Sequence, residues 1–309
     1  MTRSNEKQAA GGAADGLSGW LMRQLGLEGV ELPDLSKPAG EEALVGPDSV
    51  SWQVFANPVS LFIGGVTAVI LELAEPRVRS GVWDFTTFRT DPLRRMQRTG
   101  IAAMITVYGA RSLAERRIAQ VRRMHDAVAG QTPAGVAYRA NDPHLLNWVQ
   151  ATAAFGFVEA YSSFVRPLSR EDKDRFYAEG DAAARLYGAD DPPGSVAGWE
   201  ARLAAMLPEL EPSPILDEFF TILHRTRIFP WPLRAIQDDM IEAAASLVPA
   251  PVRTRLRLGE RGRLADWRQA RLRMMGRALE FVELPVSARA QARARLAQSS
   301  AKPSGSARP

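Results

Sequence analysis

Three times along this chain an asparagine or aspartate is followed directly by proline, at Asn57-Pro58, Asp91-Pro92 and Asp142-Pro143. Each pair joins a side chain that accepts from the free amides of a first helical turn to a residue whose ring presets the helical φ. Each therefore predicts a helix start. Ser169, with Asp172 three residues on, repeats the capping logic. Pro76, Gly109, Gly130, Pro167 and Gly188 predict stops. Between these marks apolar spacing predicts helices near 58–75, 92–108, 112–129, 143–165, 170–187, 197–207, 213–224, 231–247 and 263–283, with a weaker one near 16–25. Residues 131–141 and 189–195 are expected as loops, and only a short piece around Val50–Val54 alternates as a strand would. The expected class is all-α: one multi-helix domain over 41–285, after a partly disordered extension at 1–40 and before a basic, disordered tail at 286–309.

Composition narrows the chemistry. The absence of cysteine excludes disulfides, iron–sulfur clusters, thiolate haem ligation and cysteine catalysis together. The formal charge of +4 suggests nucleic acid until its distribution is considered. Residues 286–309 hold five basic side chains (Arg289, Arg293, Arg295, Lys302, Arg308) and no acidic one, which leaves 34 basic against 35 acidic elsewhere. A near-neutral body argues against a nucleic-acid partner, while the tail could touch an anionic membrane surface. The longest apolar run, Val59 to Leu71, falls short of the roughly 20 residues a spanning helix needs, so it is expected as a buried core helix. The N-terminus has no apolar stretch after its charges, and a cytoplasmic location is the expectation.

Three histidines can be weighed one by one. Ala114, Ile118, Val121, His125 and Val128 recur at helical spacing, which puts His125 on an inward face. An imidazole there is either a hydrogen-bonded core residue or a ligand. His144, in a first helical turn, is expected to be exposed, and His224 sits near a helix C-terminus. No HxH or HxxxH spacing suggests a zinc or non-haem iron site. Arg95 and Thr99, four apart, share a helix face, with Arg98 beside them: a solvated basic stripe, or donors facing an anion or oxygen species. Glu75, before Pro76, is expected at an exposed helix end. Glu72, among Val69, Leu71 and Leu73, would have a raised pKa if buried and could act as acid or base. Trp148 and Phe155 read as core, whereas Gln150 and Thr152 could line a pocket. Nucleophile-elbow, phosphate-loop and dinucleotide motifs are missing.

The order of segments carries a resemblance. GGVTAVILELAEPRVRSGVWDFTTFRTDPLRRMQRTG is followed by VRRMHDAVAG, then YRANDPHLLNWVQATAAF, then FVRPLSREDKDRFYAE. From about residue 50 to 250 the chain resembles the MpaB oxygenase family, which includes the rubber-cleaving latex clearing proteins. The resemblance implies an all-helical domain with a buried haem b pocket, and dioxygen chemistry on isoprenoid chains. It implies His125 as the proximal iron ligand and Arg95 with Thr99 near the other haem face. Arg122 and Arg123 become propionate candidates beside Arg95, and Glu72 or Glu75 a base. Latex clearing proteins carry a lysine just before that threonine, able to ligate iron; here it is Arg98, which stays protonated, so the sixth position is expected open or filled by water or another residue. Many members have histidine where this chain has Glu75, Phe85 and Gln150.

The resemblance thus implies a haem-dependent oxygenase acting with dioxygen on an apolar small molecule, isoprenoid- or lipid-like. The alternatives are a non-catalytic haem- or lipid-binding protein on the same scaffold, and a helical protein that uses its basic tail on nucleic acid.

Overall fold

In the computed structural model, which describes residues 33–229, 234–281, 283 and 285–300, helices dominate. They are α1 (Val50–Val54), α2 (Pro58–Glu72), α3 (Pro76–Phe85), α4 (Pro92–Tyr108), α5 (Arg111–Asp126), α6 (Pro143–Phe164), α7 (Arg170–Glu179) and α8 (Asp181–Tyr187). There follow α9 (Val196–Met206), a 3-10 turn at Leu207–Glu209, α10 (Pro214–Arg225), α11 (Arg234–Leu247), α12 (Ala250–Arg255), α13 (Asp266–Glu280) and α14 (Ala288–Ser300). The all-α class stands. Each Asx-Pro pair opens a helix. Asn57 accepts from the amides of Val59 and Ser60, Asp91 from Arg94, and Asp142 from His144.

The centre is the pair α2 and α6, which make the most extensive helix–helix contact. They run antiparallel and cross at two glycines. A Cβ added to Gly64 would lie 2.8 Å from the Gly156 carbonyl oxygen, and one added to Gly156 would lie 2.4 Å from that of Gly64. Trp148 Nε1 donates to the Leu71 carbonyl across this pair, and Thr67 Oγ1 donates to that of Ala244 on α11. The Val59–Leu71 run is therefore an interior helix, as expected. Among the described residues no single helix is long and apolar enough to cross a membrane, and α2 with α3 is bent by 113°.

Several elements depart from expectation. Val50–Val54 is a helix, because Ser49 caps it and the Glu179 carboxylate accepts from the amides of Val50 and Ser51. Pro76 opens α3 instead of only ending a helix. The 129–139 stretch forms an antiparallel hairpin, Ala129–Gln131 against Ala137–Arg139, turning at Gly135 with φ 79°. Gly180 divides the helix expected over 170–187. The C-terminal stretch, expected as a disordered tail, holds α14, whose Arg295 is fully buried. Its Nε and Nη1 donate to the carbonyls of Glu41 and Leu35, and its own carbonyl accepts from Gly40 N. The guanidinium satisfies backbone acceptors from the 35–41 segment, which explains a buried cation in a stretch that reads as solvated. The weak helix near 16–25 lies outside the described residues.

Candidate functional site

α4 and α5 form a helical hairpin joined at Gly109-Ala110. The turn brings the start of α4 beside the end of α5, and so Arg95 beside His125. Ala114 and Ile118 bury the inner face of α5, and His125 continues that line, half-buried. Its Nδ1 is buried with no hydrogen-bond partner. Burial holds the imidazole pKa below its usual value; Asn141 opposes that shift and the Arg95 charge adds to it. The imidazole thus faces inward with its Nδ1 unsatisfied.

Arg95 also acts on Glu72, at the end of α2. Arg95 thus lies within electrostatic range of both a carboxyl group on α2 and the imidazole on α5. Arg95 donates from Nη1 to Thr99 Oγ1 at 2.9 Å, and Thr99 Oγ1 donates to the Arg95 carbonyl at 3.0 Å, so the anticipated pair is a hydrogen-bonded unit. Glu72 keeps some solvent access but is walled in by protein. Burial pushes its pKa up to about 7 against the pull of Arg95. Because the folded pKa lies above the unfolded one, folding takes up a proton. The penalty is absent below about pH 4.5 and complete above about pH 7, where it reaches at most about 3 kcal/mol. Unfolding of haem-free protein checks this. Glu72→Gln should match wild type near pH 5 and exceed it in stability near pH 8; superposed pH profiles would refute the shift.

The other expected residues fall differently. Glu75 is 1 % exposed, not at an exposed end. One oxygen accepts from Val78 N as the α3 cap and the other from Arg77 Nε, so both are engaged structurally. Arg98 is exposed, close enough to Arg95 for its charge to be felt. Arg122 runs beside Gly188, away from the imidazole, and Arg123, two residues from His125, is exposed on the opposite face of α5. Gln150 is half-buried on α6, whereas Thr152 is core and donates to the Val149 carbonyl. His144 is half-buried against Glu209, and His224 faces Asp238 and Glu242. Phe85 is half-exposed.

Asn141 escaped sequence reasoning. The hairpin returns the chain to the last turn of α5, where Asn141 Nδ2 donates to the Arg122 carbonyl and to Asp126 Oδ1. Its Oδ1, like His125 Nδ1, is buried without a partner. The two do not reach hydrogen-bond geometry, yet the amide supports the ring's charged form. No composition or spacing signal marks it; only the hairpin puts residue 141 beside residue 125. Asn141→Ala should cost about 1 kcal/mol by removing the two bonds and depress the His125 pKa further. Urea unfolding and histidine-ring NMR titration read the two effects, and an unmoved or raised His125 pKa would contradict the contact.

Around this polar end α2 and α6 carry apolar side chains that are neither buried nor free: Leu61, Phe62 and Val69 on one, Val149, Ala154 and Phe157 on the other. Glu72 and Gln150 stand at the same end of the two stripes. An open concavity of about 480 Å³ lies elsewhere, between Ile101 and Ile105 of α4 and Leu113, Arg116 and Gln120 of α5. The arrangement offers one inward imidazole, a cation and a carboxyl group that titrates near neutrality beside an apolar wall.

The family model described as ER-bound oxygenase mpaB/B′/rubber oxygenase, catalytic domain, matches residues 52–282, a span from α1 to just beyond α13. No curated protein and no solved structure matches the chain. With three quarters of its length matched, and with the helices that carry Glu72, Arg95 and His125 inside the match, the chain belongs to the mpaB/rubber oxygenase family and is an oxygenase catalytic domain.

Proposed function

We propose that this oxygenase domain depends on haem b and acts with dioxygen on an apolar, isoprenoid- or lipid-like substrate. The observation that carries the reading is His125: inward, half-buried, its Nδ1 without a hydrogen-bond partner. Asn141 Oδ1, the unsatisfied acceptor nearby, would orient the Nδ1 proton and leave Nε2 as the nitrogen to hold the iron. When bound, haem supplies the dioxygen chemistry.

The chain's own residues supply the rest. His125 would hold the iron. Arg95, steadied by Thr99, presents a guanidinium to a carboxylate or a polarised oxygen. Glu72, with a pKa near 7, can give or accept a proton at its carboxyl around neutral pH. Leu61, Phe62, Val69 and Phe157 offer an apolar wall that excludes water and suits a hydrocarbon. Glu75 is left out, because both of its oxygens are engaged. So are Arg122 and Arg123, which point elsewhere.

The test is to titrate haem into haem-free protein and follow oxygen uptake with isoprenoid substrates. A stoichiometric Soret band with substrate-dependent uptake is expected. No Soret band rejects haem; a Soret band without uptake on any isoprenoid or fatty substrate supports a binding role on the same scaffold.

A further inference from the structure

α13 buries Leu272 and Gly276 and leaves its other side uncovered among the described residues. On that side Trp267, Met274 and Phe281 are 60 %, 68 % and 87 % exposed. They stand seven residues apart, and at about 100° per residue they line one stripe together with the exposed Ala270 and Ala278. Arg273 and Arg277 flank the stripe on one edge and Arg268 on the other, all exposed. Asp266, in the first turn, is the one exposed acid of this helix. Glu280 turns inward to accept from the Tyr161 hydroxyl.

The stripe is held in place. The guanidinium carbons of Arg268 and Arg271 each lie 5.3 Å from the Trp267 ring centroid. Both cations are tethered to Asp239 of α11, which is 2 % exposed. A tryptophan braced by two anchored arginines is presented to solvent as a fixed projection.

We propose that this face of α13 is a peripheral membrane contact for an anionic lipid bilayer. An aromatic and thioether stripe suits the boundary between headgroups and acyl chains, and the Arg273 and Arg277 guanidiniums along one edge suit lipid phosphates, Arg268 being paired with Asp239. A second copy is the poorer occupant, since a two-fold pairing would bring like-charged arginine edges together. The inference rests on α13 alone and is independent of haem.

The absence of cysteine makes the test direct. Met274→Cys, labelled with an environment-sensitive fluorophore, is mixed with phosphatidylcholine vesicles with or without phosphatidylglycerol. A blue shift and quenching by brominated lipid are expected with the anionic vesicles, and neither at Ala201→Cys, an exposed control on α9. Co-sedimentation of unlabelled protein should fall by about tenfold or more in the triple variant Trp267→Ala, Met274→Ala, Phe281→Ala. It should fall comparably in Arg273→Glu, Arg277→Glu, with circular dichroism showing both folded. No binding of wild type to anionic vesicles overturns the proposal. So does undiminished binding of both variants, which assigns lipid contact to another surface. So does a wild-type dimer that the triple variant dissociates, which gives the stripe to a second copy.

Discussion

Replacing His125 with alanine is expected to abolish the Soret band that haem-reconstituted wild type should show, while the helical circular dichroism persists. The two readouts separate because of where the ring sits. Its Nδ1 has no hydrogen-bond partner, so removing the imidazole breaks no bond at that atom. The half-buried position leaves a modest apolar loss, and α5 stays packed through Ala114 and Ile118. Loss of the iron ligand, by contrast, should weaken haem binding on the order of a hundredfold or more, since disturbing only a neighbour of a ligating histidine already costs 10–100-fold. His144→Ala and His224→Ala are the controls. Each of those rings faces carboxylates near the surface, Glu209 in one case and Asp238 with Glu242 in the other, and neither should change the spectrum. An unaltered Soret band in His125→Ala would end the assignment of this residue, and with it the proposed reaction.

The largest loss of stability is expected at Gly156. Even alanine places its Cβ 2.4 Å from the Gly64 carbonyl oxygen and 3.1 Å from Ala68 N, both backbone atoms of the facing helix. Side chains can rotate away from a clash; helix backbones must move apart. Separation would loosen every contact along α2 and α6, so the cost should reach the upper part of the range for overpacking, about 3 kcal/mol. For a domain this size that is roughly 6–12 °C in Tm. Gly64→Ala meets the Gly156 carbonyl oxygen at 2.8 Å and should behave alike. The double variant should cost less than the two single losses together, because both report one contact. Gly100, helical and with nothing near a built Cβ, is the opposite case. Alanine there should raise stability by about 0.5–1 kcal/mol. Melting of Gly156→Ala within a degree of wild type would mean that the helices do not touch at this point.

Local chemistry explains what was legible. The Asx-Pro pairs work through bonds to amides two or three residues away, so α2, α4 and α6 could be placed without knowing the fold. His125 could be turned inward because helical periodicity on α5 is also local. Misreadings came where a distant group intervened. Val50–Val54 alternates like a strand, yet Glu179, about 130 residues on, binds its first amides and makes it helical. Arg295 sits in a stretch with basic but no acidic side chains, yet carbonyls more than 250 residues earlier receive it. Glu75 is the exception, a local misreading: as the cap of α3 its carboxylate accepts from Val78 N and Arg77 Nε instead of facing solvent.

Sequence alone determined that this chain is helical, where most of its helices begin, and that one histidine faces inward, because capping and periodicity act within a few residues. Tertiary structure alone decided that Arg95 lies within electrostatic range of both Glu72 and His125, that Asn141 stands beside His125, and that α13 turns Trp267, Met274 and Phe281 outward. Those outcomes depend on how helices dock, and docking is set by contacts between residues far apart in the chain, such as the Gly64–Gly156 crossing.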